Sequence, residues 1–348
     1  MEGIHFEAFV SPYSLGCQVN APLVIISTVE ELVTAEISDK IILLHGKIAK
    51  EQLMPKEFPF YNPDEHKRII QLIEKKKPQA IVAATTRNPA MVGAVYPFPL
   101  IEDGDFDIPS IYLTAEEGDR LAGYAGKALS LEIRAKRNPS TGCNVIARKG
   151  RNLNRRVVLF AHIDAKDGTP GATDNATGII VLLLLAELLL EYSGDLGIEI
   201  VALNGEDYYS APGEKQWLEI NAGKFDEIVL GINLDGVGFH HGKTAFSLYD
   251  CPPDIANSIN NIFSTHHEMI EGDSWYQGDH GLFLMNKRPA LAITSERFDY
   301  ILTEFAHTPK DSPEIVDTNK LVDVALALRD LLLDLENNLK MGEKNEWK

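Results

Sequence analysis

The chain has little cysteine and lacks two common catalytic signatures, and these absences narrow its chemistry. Only three cysteines occur in 348 residues, Cys17, Cys143 and Cys251. An odd and widely spaced set does not form a disulfide framework or a cysteine-based zinc site, and it is typical of a reducing compartment. A Gly-x-Ser-x-Gly elbow and a phosphate-binding glycine loop are also missing, which argues against serine hydrolysis and against nucleotide binding through such a loop.

Positive charge and long apolar runs are also scarce. Lys and Arg number 33 against 51 Asp and Glu, and the resulting net charge of -18 would repel nucleic acid and anionic lipid. The most apolar run, Ile179–Leu190, is shorter than the roughly 20 residues of a membrane span and contains Glu187. The N-terminal residues show no basic region followed by an apolar core, so no signal peptide is predicted and a cytoplasmic location is expected.

The length of the chain predicts more than one domain. A single compact core rarely holds 348 residues, whereas the 45% hydrophobic and 24% charged content is ordinary for a globular protein. A polar, turn-rich segment, Ala135–Gly142, marks the boundary between a domain at 1–140 and a domain at 141–348. The first part predicts a helix at His66–Lys76 and short strands at Leu23–Ser27, Lys40–Leu44, Ala80–Ala84, Ser110–Leu113 and Leu129–Ile133.

The second domain alternates apolar strands with helices, which predicts an α/β fold with a mostly parallel sheet. The predicted strands are Val157–Ala161, Ile198–Leu203, Ile228–Leu234 and Ala290–Thr294. The predicted helices are Ala176–Tyr192, Glu214–Ala222 and Thr318–Leu339.

Polar residues follow the apolar segments, where open parallel sheets bind their ligands. Val157–Ala161 leads into His162 and Ile163, and Asp164 lies on the same side of an extended chain as His162. His162 is therefore a candidate metal ligand. A carboxylate bonded to its second ring nitrogen would fix the orientation of the imidazole, and Asp164 is the candidate for that role.

Three further acidic residues have a similar setting. Asp174 precedes an apolar helix within GATDNATG, a position that is typical of a helix N-cap but also suits a carboxylate bridging two metals. Glu206 and Asp207 follow Ile198–Leu203, where they could form a solvated turn. A metal bound by Asp207 would offset the repulsion between the two acids and leave Glu206 as a general base.

The last two candidates are Asp235 and His307. Asp235 ends the apolar strand Ile228–Leu234, where a carboxylate is costly unless it is paired or coordinated. His307 lies in a loop before the last helix, a place where a lone histidine is more often a surface residue. Two Zn²⁺ ions that share a carboxylate need about five ligands and one free base, and this set supplies both. Co²⁺ or Mn²⁺ could occupy the same ligands.

Six motifs occur in a recognisable order between about Gly142 and Leu339: AHIDAK, GATDNATG, NGED, NLDGVG, GDHGLF and AHTPKD. They closely resemble those of the co-catalytic zinc aminopeptidases of the bacterial leucyl aminopeptidase type, whose relatives include glutamate carboxypeptidase and the transferrin receptor. The resemblance implies an α/β zinc-exopeptidase fold, a mixed sheet with helices on both faces. DKIILLHG, KPQAIVAATT and IPSIYLTAEEGDRLAG resemble a protease-associated domain, which implies a smaller β-rich α+β domain that shapes the substrate entrance.

The resemblance also implies which residues would hold two Zn²⁺ ions per chain. His162 and Asp235 would hold one zinc and Asp207 and His307 the other, with Asp174 bridging them. The chain departs from the family at Asp207, where the family usually has Glu. The shorter ligand puts the metal preference of the second site in question.

Two catalytic roles complete the set that the resemblance implies. Glu206 would be the general base. Tyr276 or Trp275, next to the GDHGLF motif, could donate a hydrogen bond to the oxyanion, although packing of this aromatic pair is an equal alternative.

The predicted function is a metal-dependent exopeptidase and, within that class, an aminopeptidase that hydrolyses the N-terminal residues of peptides. Its partner is then a peptide substrate, with no nucleic acid and no membrane. A dipeptidase, carboxypeptidase or deacylase on the same scaffold and a non-catalytic binding protein stay open as alternatives.

Overall fold

The structure is a computed structural model that describes residues 4–58, 62–86, 96–208, 211–275 and 278–345. The chain divides into two compact units, one of Met1–Thr141 with Tyr208–Ser210 and one of Gly142–Asp207 with Ala211–Lys348. The second unit begins at Gly142, which is the last residue of the polar segment Ala135–Gly142 at which the sequence predicts a domain boundary. Its assignment as a protease-associated domain stays a prediction.

The first unit is built on a six-stranded sheet with the strand order β1-β5-β4-β3-β2-β6. Its strands are β1 (Phe9–Val10), β2 (Cys17–Ile26), β3 (Ile41–His45), β4 (Ala80–Thr85), β5 (Ser110–Thr114) and β6 (Ala128–Ile133). Its helices are α1 (Val29–Thr34), α2 (Asp64–Lys76) and α3 (Ala115–Ala122). Strands β2 to β5 are parallel and the two edge strands are antiparallel to their neighbours.

Helix α2 shows how the sequence sets its own boundaries. It follows Pro63, carries acidic residues in its first turn and lysines in its last, and ends at Lys77 in the left-handed conformation. These charges complement the helix dipole. Ile69, Ile70 and Ile73 form its buried face. The helix begins two residues before the predicted His66–Lys76 because the acidic first turn belongs to it.

The second unit contains a seven-stranded sheet with the order β12-β11-β13-β10-β8-β9-β7. Its strands are β7 (Val145–Lys149), β8 (Asn152–His162), β9 (Leu196–Leu203), β10 (Ile228–Leu234), β11 (Thr244–Tyr249), β12 (Met269–Glu271) and β13 (Ala290–Ser295). Its helices are α4 (Thr177–Leu188), α5 (Pro212–Ile220), α6 (Pro253–Phe263), α7 (Gly281–Met285), α8 (Phe298–Glu304) and α9 (Thr318–Asn345).

The centre of this sheet is parallel. Strand β8 pairs in parallel with β9 on one side and β10 on the other, and β10 pairs in parallel with β13. Strands β7 and β11 run antiparallel to their central neighbours, so the sheet is mixed. The predicted α/β fold with a mostly parallel sheet is confirmed. The elements of this unit that the sequence did not predict are β7, β11, β12, α6, α7 and α8.

Helices cover both faces of the second sheet. Val157, Leu159 and Ala161 of β8 belong to one core cluster with α4, α6 and α9. Phe160, which faces the opposite way in an extended strand, packs on Trp217 of α5 and Phe283 of α7 with ring centroids 4.8 and 4.7 Å apart. No helix in the described part of the chain is long and apolar enough to cross a membrane.

Candidate metal centre

Three neighbouring parallel strands end beside the candidate ligands. His162 is the last residue of β8, Glu206 and Asp207 follow β9, and Asp235 follows β10. Because β8 lies between β9 and β10, the carboxyl ends of these strands form one edge of the sheet. The fold therefore brings together residues that are more than 70 positions apart in sequence.

Asp174 lies in the loop between β8 and α4 and does not cap the helix. The residue that precedes α4 is Ala176, and the side chain that accepts a main-chain N–H of its first turn is that of Asn175, which bonds Gly178 at 3.1 Å. Asp174 has a non-helical backbone, with φ -124° and ψ 83°, and its peptide bond to Asn175 is cis. The N-cap alternative is wrong, because the carboxylate of Asp174 turns toward two imidazoles instead.

The carboxylate of Asp174 lies between His162 and His307. Its Oδ1 is 3.1 Å from Nε2 of His162, and its Oδ2 is 3.1 Å from Nε2 of His307. Nε2 of His307 is also 2.7 Å from Oδ1 of Asp207. Each carboxylate oxygen of Asp174 thus faces a different imidazole, as a bridging ligand requires.

Asp235 and Glu206 approach the same centre from the strand ends. Oδ1 of Asp235 and Oε2 of Glu206 each lie 3.9 Å from Nε2 of His162. Glu206 lies one residue before Asp207, which contacts His307, so the two adjacent acids both face the centre. The solvated-turn alternative for this pair does not agree with the side chain of Asp207, which is 2% exposed.

His307 is a largely buried residue with an unusual backbone. Its side chain is 11% exposed, and its φ of 57° lies in the left-handed region that residues with a side chain seldom adopt. The chain is held there by the main-chain N–H and the hydroxyl of Thr308, which both donate to the carbonyl of Phe305. Local strain of this kind is typical of functional sites. The surface-residue alternative for His307 is wrong.

Asp164 lies near His162 but contacts it differently than expected. Nδ1 of His162 donates to the main-chain carbonyl of Asp164 at 3.0 Å, whereas the nearest carboxylate oxygen is 3.9 Å away. The carboxylate instead accepts the main-chain N–H groups of Gly205 at 2.6 Å, Glu206 at 3.3 Å and Asp207 at 3.1 Å. Those three donors satisfy the carboxylate, so Asp164 fixes the loop that carries Glu206 and Asp207.

The electrostatics of the two histidines follow from these contacts. Burial by itself would lower the pKa of His162, but the carboxylates of Asp174, Asp235 and Glu206 raise it well above 6.5. Burial likewise opposes protonation of His307, and the carboxylates of Asp174 and Asp207 raise its pKa to about 10. Each imidazole therefore lies in a field that attracts positive charge.

The pKa values of three acidic residues at the centre are shifted as well. Burial raises the pKa of Glu206 well above 4.5, and the negative charges of Asp207, Asp235 and Asp174 raise it further. Burial also raises the pKa of Asp235, although His162 opposes the shift. For Asp174 the two imidazoles outweigh the effect of burial and lower its pKa. Four carboxylates at one buried centre call for a compensating cation.

A second group of buried polar residues lies beside Glu206. Glu214, Asp279 and Asn233 are each 1% exposed or less. Both oxygens of Glu214, Oδ1 of Asp279 and both side-chain heteroatoms of Asn233 have no hydrogen-bond partner within the described ranges. Burial raises the pKa of Glu214 to about 7 and that of Asp279 well above 3.8, the latter with help from the charges of Glu214 and Glu206.

These three residues had no catalytic or metal-binding role in the prediction from sequence. Asp279 belongs to the GDHGLF motif, which offered a signal. Glu214 was predicted only as the start of a helix and offered none.

Of the two residues predicted as oxyanion donors, only Trp275 lies within the described part of the chain. Tyr276 lies outside the described residues. The indole of Trp275 packs against Phe298 and His280, with ring centroids 4.7 and 4.6 Å away. The main-chain carbonyl of Trp275 accepts from Nε2 of His280 at 2.8 Å. These contacts agree with the packing alternative for Trp275.

The residues of the centre fit a divalent metal. One atom each of His162, Asp174 and Asp207 lie within 4.8 Å of one another. Nε2 of His162 and Oδ2 of Asp207 are buried atoms without a hydrogen-bond partner in the described part of the chain. Mixed imidazole and carboxylate ligands suit Zn²⁺. With neutral imidazoles, the carboxylates of Asp174, Glu206, Asp207 and Asp235 carry a charge that two divalent cations would balance.

Two curated relatives resemble parts of the chain. The protein named probable leucine aminopeptidase 2 of Aspergillus oryzae is 28% identical over 171 residues, which are 46% of this chain and 34% of that protein. Aminopeptidase YwaD of Bacillus subtilis is 26% identical over 233 residues, 64% of this chain and 50% of that protein. The chain therefore spans half or less of the length of these relatives.

The fold also matches a solved structure and a family model. The zinc aminopeptidase BSAP from Bacillus subtilis superposes with a TM-score of 0.70 at 18% identity, covering 96% of this chain and 80% of that one. At this identity the likeness shows a shared fold. The model of peptidase family M28 matches residues 144–332, more than half of the chain. The chain belongs to peptidase family M28.

Proposed function

We propose that this chain is a metal-dependent aminopeptidase that works with two Zn²⁺ ions. The observation that carries the proposal is the carboxylate of Asp174, whose two oxygens each lie 3.1 Å from the imidazole of a different histidine. Membership of peptidase family M28 supports the hydrolysis of peptide bonds. The names of the relatives, which are aminopeptidases, and of BSAP, a zinc aminopeptidase, support the finer assignment.

The ligands divide into two sets that share Asp174. His162 and Asp235 would hold one ion, and His307 and Asp207 the other. When bound, zinc supplies Lewis-acid chemistry, which polarises the peptide carbonyl and makes water more acidic. Two divalent ions rather than one are favoured because four carboxylates surround only two imidazoles.

The chain's own residues would perform the proton transfers. Glu206 has a partly buried carboxylate with a raised pKa and is not needed as a ligand, so it can accept a proton from the attacking water. The same oxygen can then deliver that proton to the leaving nitrogen of the peptide. Asp164 holds the main chain of Glu206 at 3.3 Å and thereby fixes the position of the base.

The preference for a free amino terminus rests on the proposed metals and on the names of the relatives. A free amine could offer its lone pair to a zinc ion held by these ligands, whereas an acylated nitrogen could not. The relatives are named aminopeptidases, which supports an amino terminus over a free carboxylate. Peptides with a free amino terminus are therefore the proposed substrates.

Metal analysis and substrate turnover test the proposal together. We expect about two zinc ions per chain, and cleavage of aminoacyl p-nitroanilides but not of their N-acetylated forms. Glu206→Gln should retain the zinc and lose turnover by a factor of about 10²–10⁴. Glu187→Gln, at an exposed carboxylate on α4, is the matched control and should behave like the wild type.

Other outcomes would favour the alternatives. Cleavage of the acetylated substrates would replace the aminopeptidase with a deacylase, and preference for a free C-terminus would replace it with a carboxypeptidase. Wild-type protein that stays metal-free and inert after zinc is added would favour a non-catalytic binding protein.

Two further assignments are part of the proposal. The first unit is proposed to be a protease-associated domain that influences selectivity, which its sequence phrases support. A shift in the preferred peptide length after exchange of this unit would support that role, and an unchanged preference would contradict it. A cytoplasmic location is proposed from the three free cysteines, and cell fractionation would test it.

A further inference from the structure

Asp311, four residues after His307, is fastened to the loop that carries Asp174. Its side chain is fully buried. Oδ1 of Asp311 accepts the main-chain N–H and the hydroxyl of Thr173, both at 2.7 Å, and Oδ2 accepts the N–H of Asp174 at 3.1 Å. The main-chain carbonyl of Asp311 accepts from the N–H of Ala172 at 3.2 Å. One residue thus holds three successive residues that end at Asp174.

These bonds fix the part of the loop on which the metal centre depends. The two oxygens of Asp174 contact the imidazoles of His162, at the end of β8, and of His307, in the same loop as Asp311. Rotation or a shift of the Asp174 main chain would remove at least one of the two 3.1 Å approaches. The bonds from Asp311 leave the Asp174 carboxylate free for the metals because they use only its main-chain N–H.

We propose that Asp311 is a positioning residue that fixes the bridging carboxylate of Asp174 for the two metals. The inference rests on the proposed function for the identity of the metals. Asp311 itself does not act as a ligand or touch the substrate. Its hydrogen bonds fix the loop of Asp174 to the loop of His307, although Asp174 and Asp311 are 137 positions apart in sequence.

Asp311→Asn tests the proposal with little change in shape. The amide retains one oxygen and replaces the other with an NH₂ group, which cannot accept a hydrogen bond. Whichever way the amide is turned, the N–H of Thr173 or of Asp174 faces a donor. Thr173→Val is the partner variant, because it removes the hydroxyl bond and keeps both main-chain bonds.

Glu336→Gln is a matched control elsewhere in the same unit. Glu336 is a buried carboxylate on α9 that also accepts two successive main-chain N–H groups, those of Asp195 at 2.9 Å and Leu196 at 2.6 Å. Leu196 begins β9, whereas the ligands follow the opposite end of that strand. At about 3.3 Å per residue the two ends are roughly 23 Å apart.

The experiment measures the dissociation constant for zinc by competition with a chromogenic chelator, and the melting temperature of the same samples. We expect Asp311→Asn to weaken zinc binding by a factor of about 10–100, the usual effect of removing a group that orients a metal ligand. Thr173→Val should weaken it by much less. Glu336→Gln should lower the melting temperature and leave zinc affinity as in the wild type.

Two results would overturn the proposed role of Asp311. Wild-type zinc affinity in Asp311→Asn would overturn the inference, and so would an equal loss of affinity in Glu336→Gln. Should the Asn variant fail to fold, Asp311→Glu, which moves both acceptors by one methylene, carries the same comparison. Weakened zinc binding together with a wild type that cleaves no peptide would leave the inference standing and overturn the proposed function.

Discussion

The buried imidazole of His280 predicts a loss of stability in mild acid. His280 is fully buried, and burial lowers its pKa to about 4, against 6.5 for an exposed histidine. Its Nε2 donates to the carbonyl of Trp275 at 2.8 Å, which the neutral ring can do. Between these two pH values the unfolded chain binds a proton that the folded chain excludes. Stability is therefore present above pH 6.5 and falls as the pH drops toward 4.

The magnitude follows from the two pKa values. Each pH unit is worth about 1.36 kcal/mol, so the gap from 6.5 to about 4 corresponds to about 3 kcal/mol at complete protonation. At pH 5 about 2 kcal/mol of this is already lost. A contribution of that size is a large fraction of the total stability of an ordinary domain.

His280→Gln removes the titration and keeps a donor at the position of Nε2. We expect the variant to be less stable than the wild type at pH 7.5, because the ring packs 4.6 Å from Trp275. The difference should shrink by about 2 kcal/mol at pH 5, since only the wild type pays for protonation. Urea denaturation at both pH values measures it. Both proteins share the metal centre, so acid release of metal affects them alike. An unchanged difference between the two pH values would refute the reasoning.

Three further predictions concern the second unit. Gly231→Ala should cost about 1–3 kcal/mol, because the new Cβ would lie 2.2 Å from the ring of Phe283; an unchanged melting temperature would contradict it. Arg156→Met removes a buried guanidinium that lies 3.6 Å from the buried Glu199 and 2.5 Å from the partly exposed Glu227, and it should cost about 3–5 kcal/mol in urea denaturation; a cost near zero would contradict it. Zinc at 100 times its wild-type dissociation constant should stabilise the protein by about 2.7 kcal/mol for each ion bound, and Asp174→Ala should lose most of that gain at the same concentration; calorimetry showing an equal gain would contradict it.

The sequence predicted most of the parallel sheet because its strands have a local signature. Ile228–Leu234 is nearly all apolar, and its observed bounds are the same as those predicted. Strand β11 was not identified. It is buried and pairs in register with β13, but small and polar residues interrupt its apolar pattern, and its paired residues on β13 are 41 to 51 positions away.

In the candidate site, too, features set by neighbouring residues in the sequence were predicted, and contacts between residues distant in sequence were not. Residues at strand ends, such as His162 and Asp235, could be identified because an apolar strand precedes each of them. The orientation of Asp174 could not, because an acid before a helix is ordinarily a cap and only the two imidazoles turn it away. The carboxylate of Asp164 was assigned to His162 by spacing along the strand. Its actual partners are three N–H groups of the Glu206–Asp207 loop, 41 to 43 positions away.

The hydrogen bonds that hold the Asp174 loop to the loop of His307 and Asp311 have a consequence for protein synthesis. Asp174 depends on Asp311, while Asn175 donates to the carbonyl of Leu234, directly before Asp235, at 2.7 Å. These partners are 137 and 59 positions apart. A nascent chain that has emerged only as far as Asp235, directly after β10, holds four of the five ligands but lacks Asp311, the residue that aligns the bridging carboxylate. Capture of the metal pair is therefore a late event, which follows completion of the sheet and release of the C-terminal part of the chain from the ribosome.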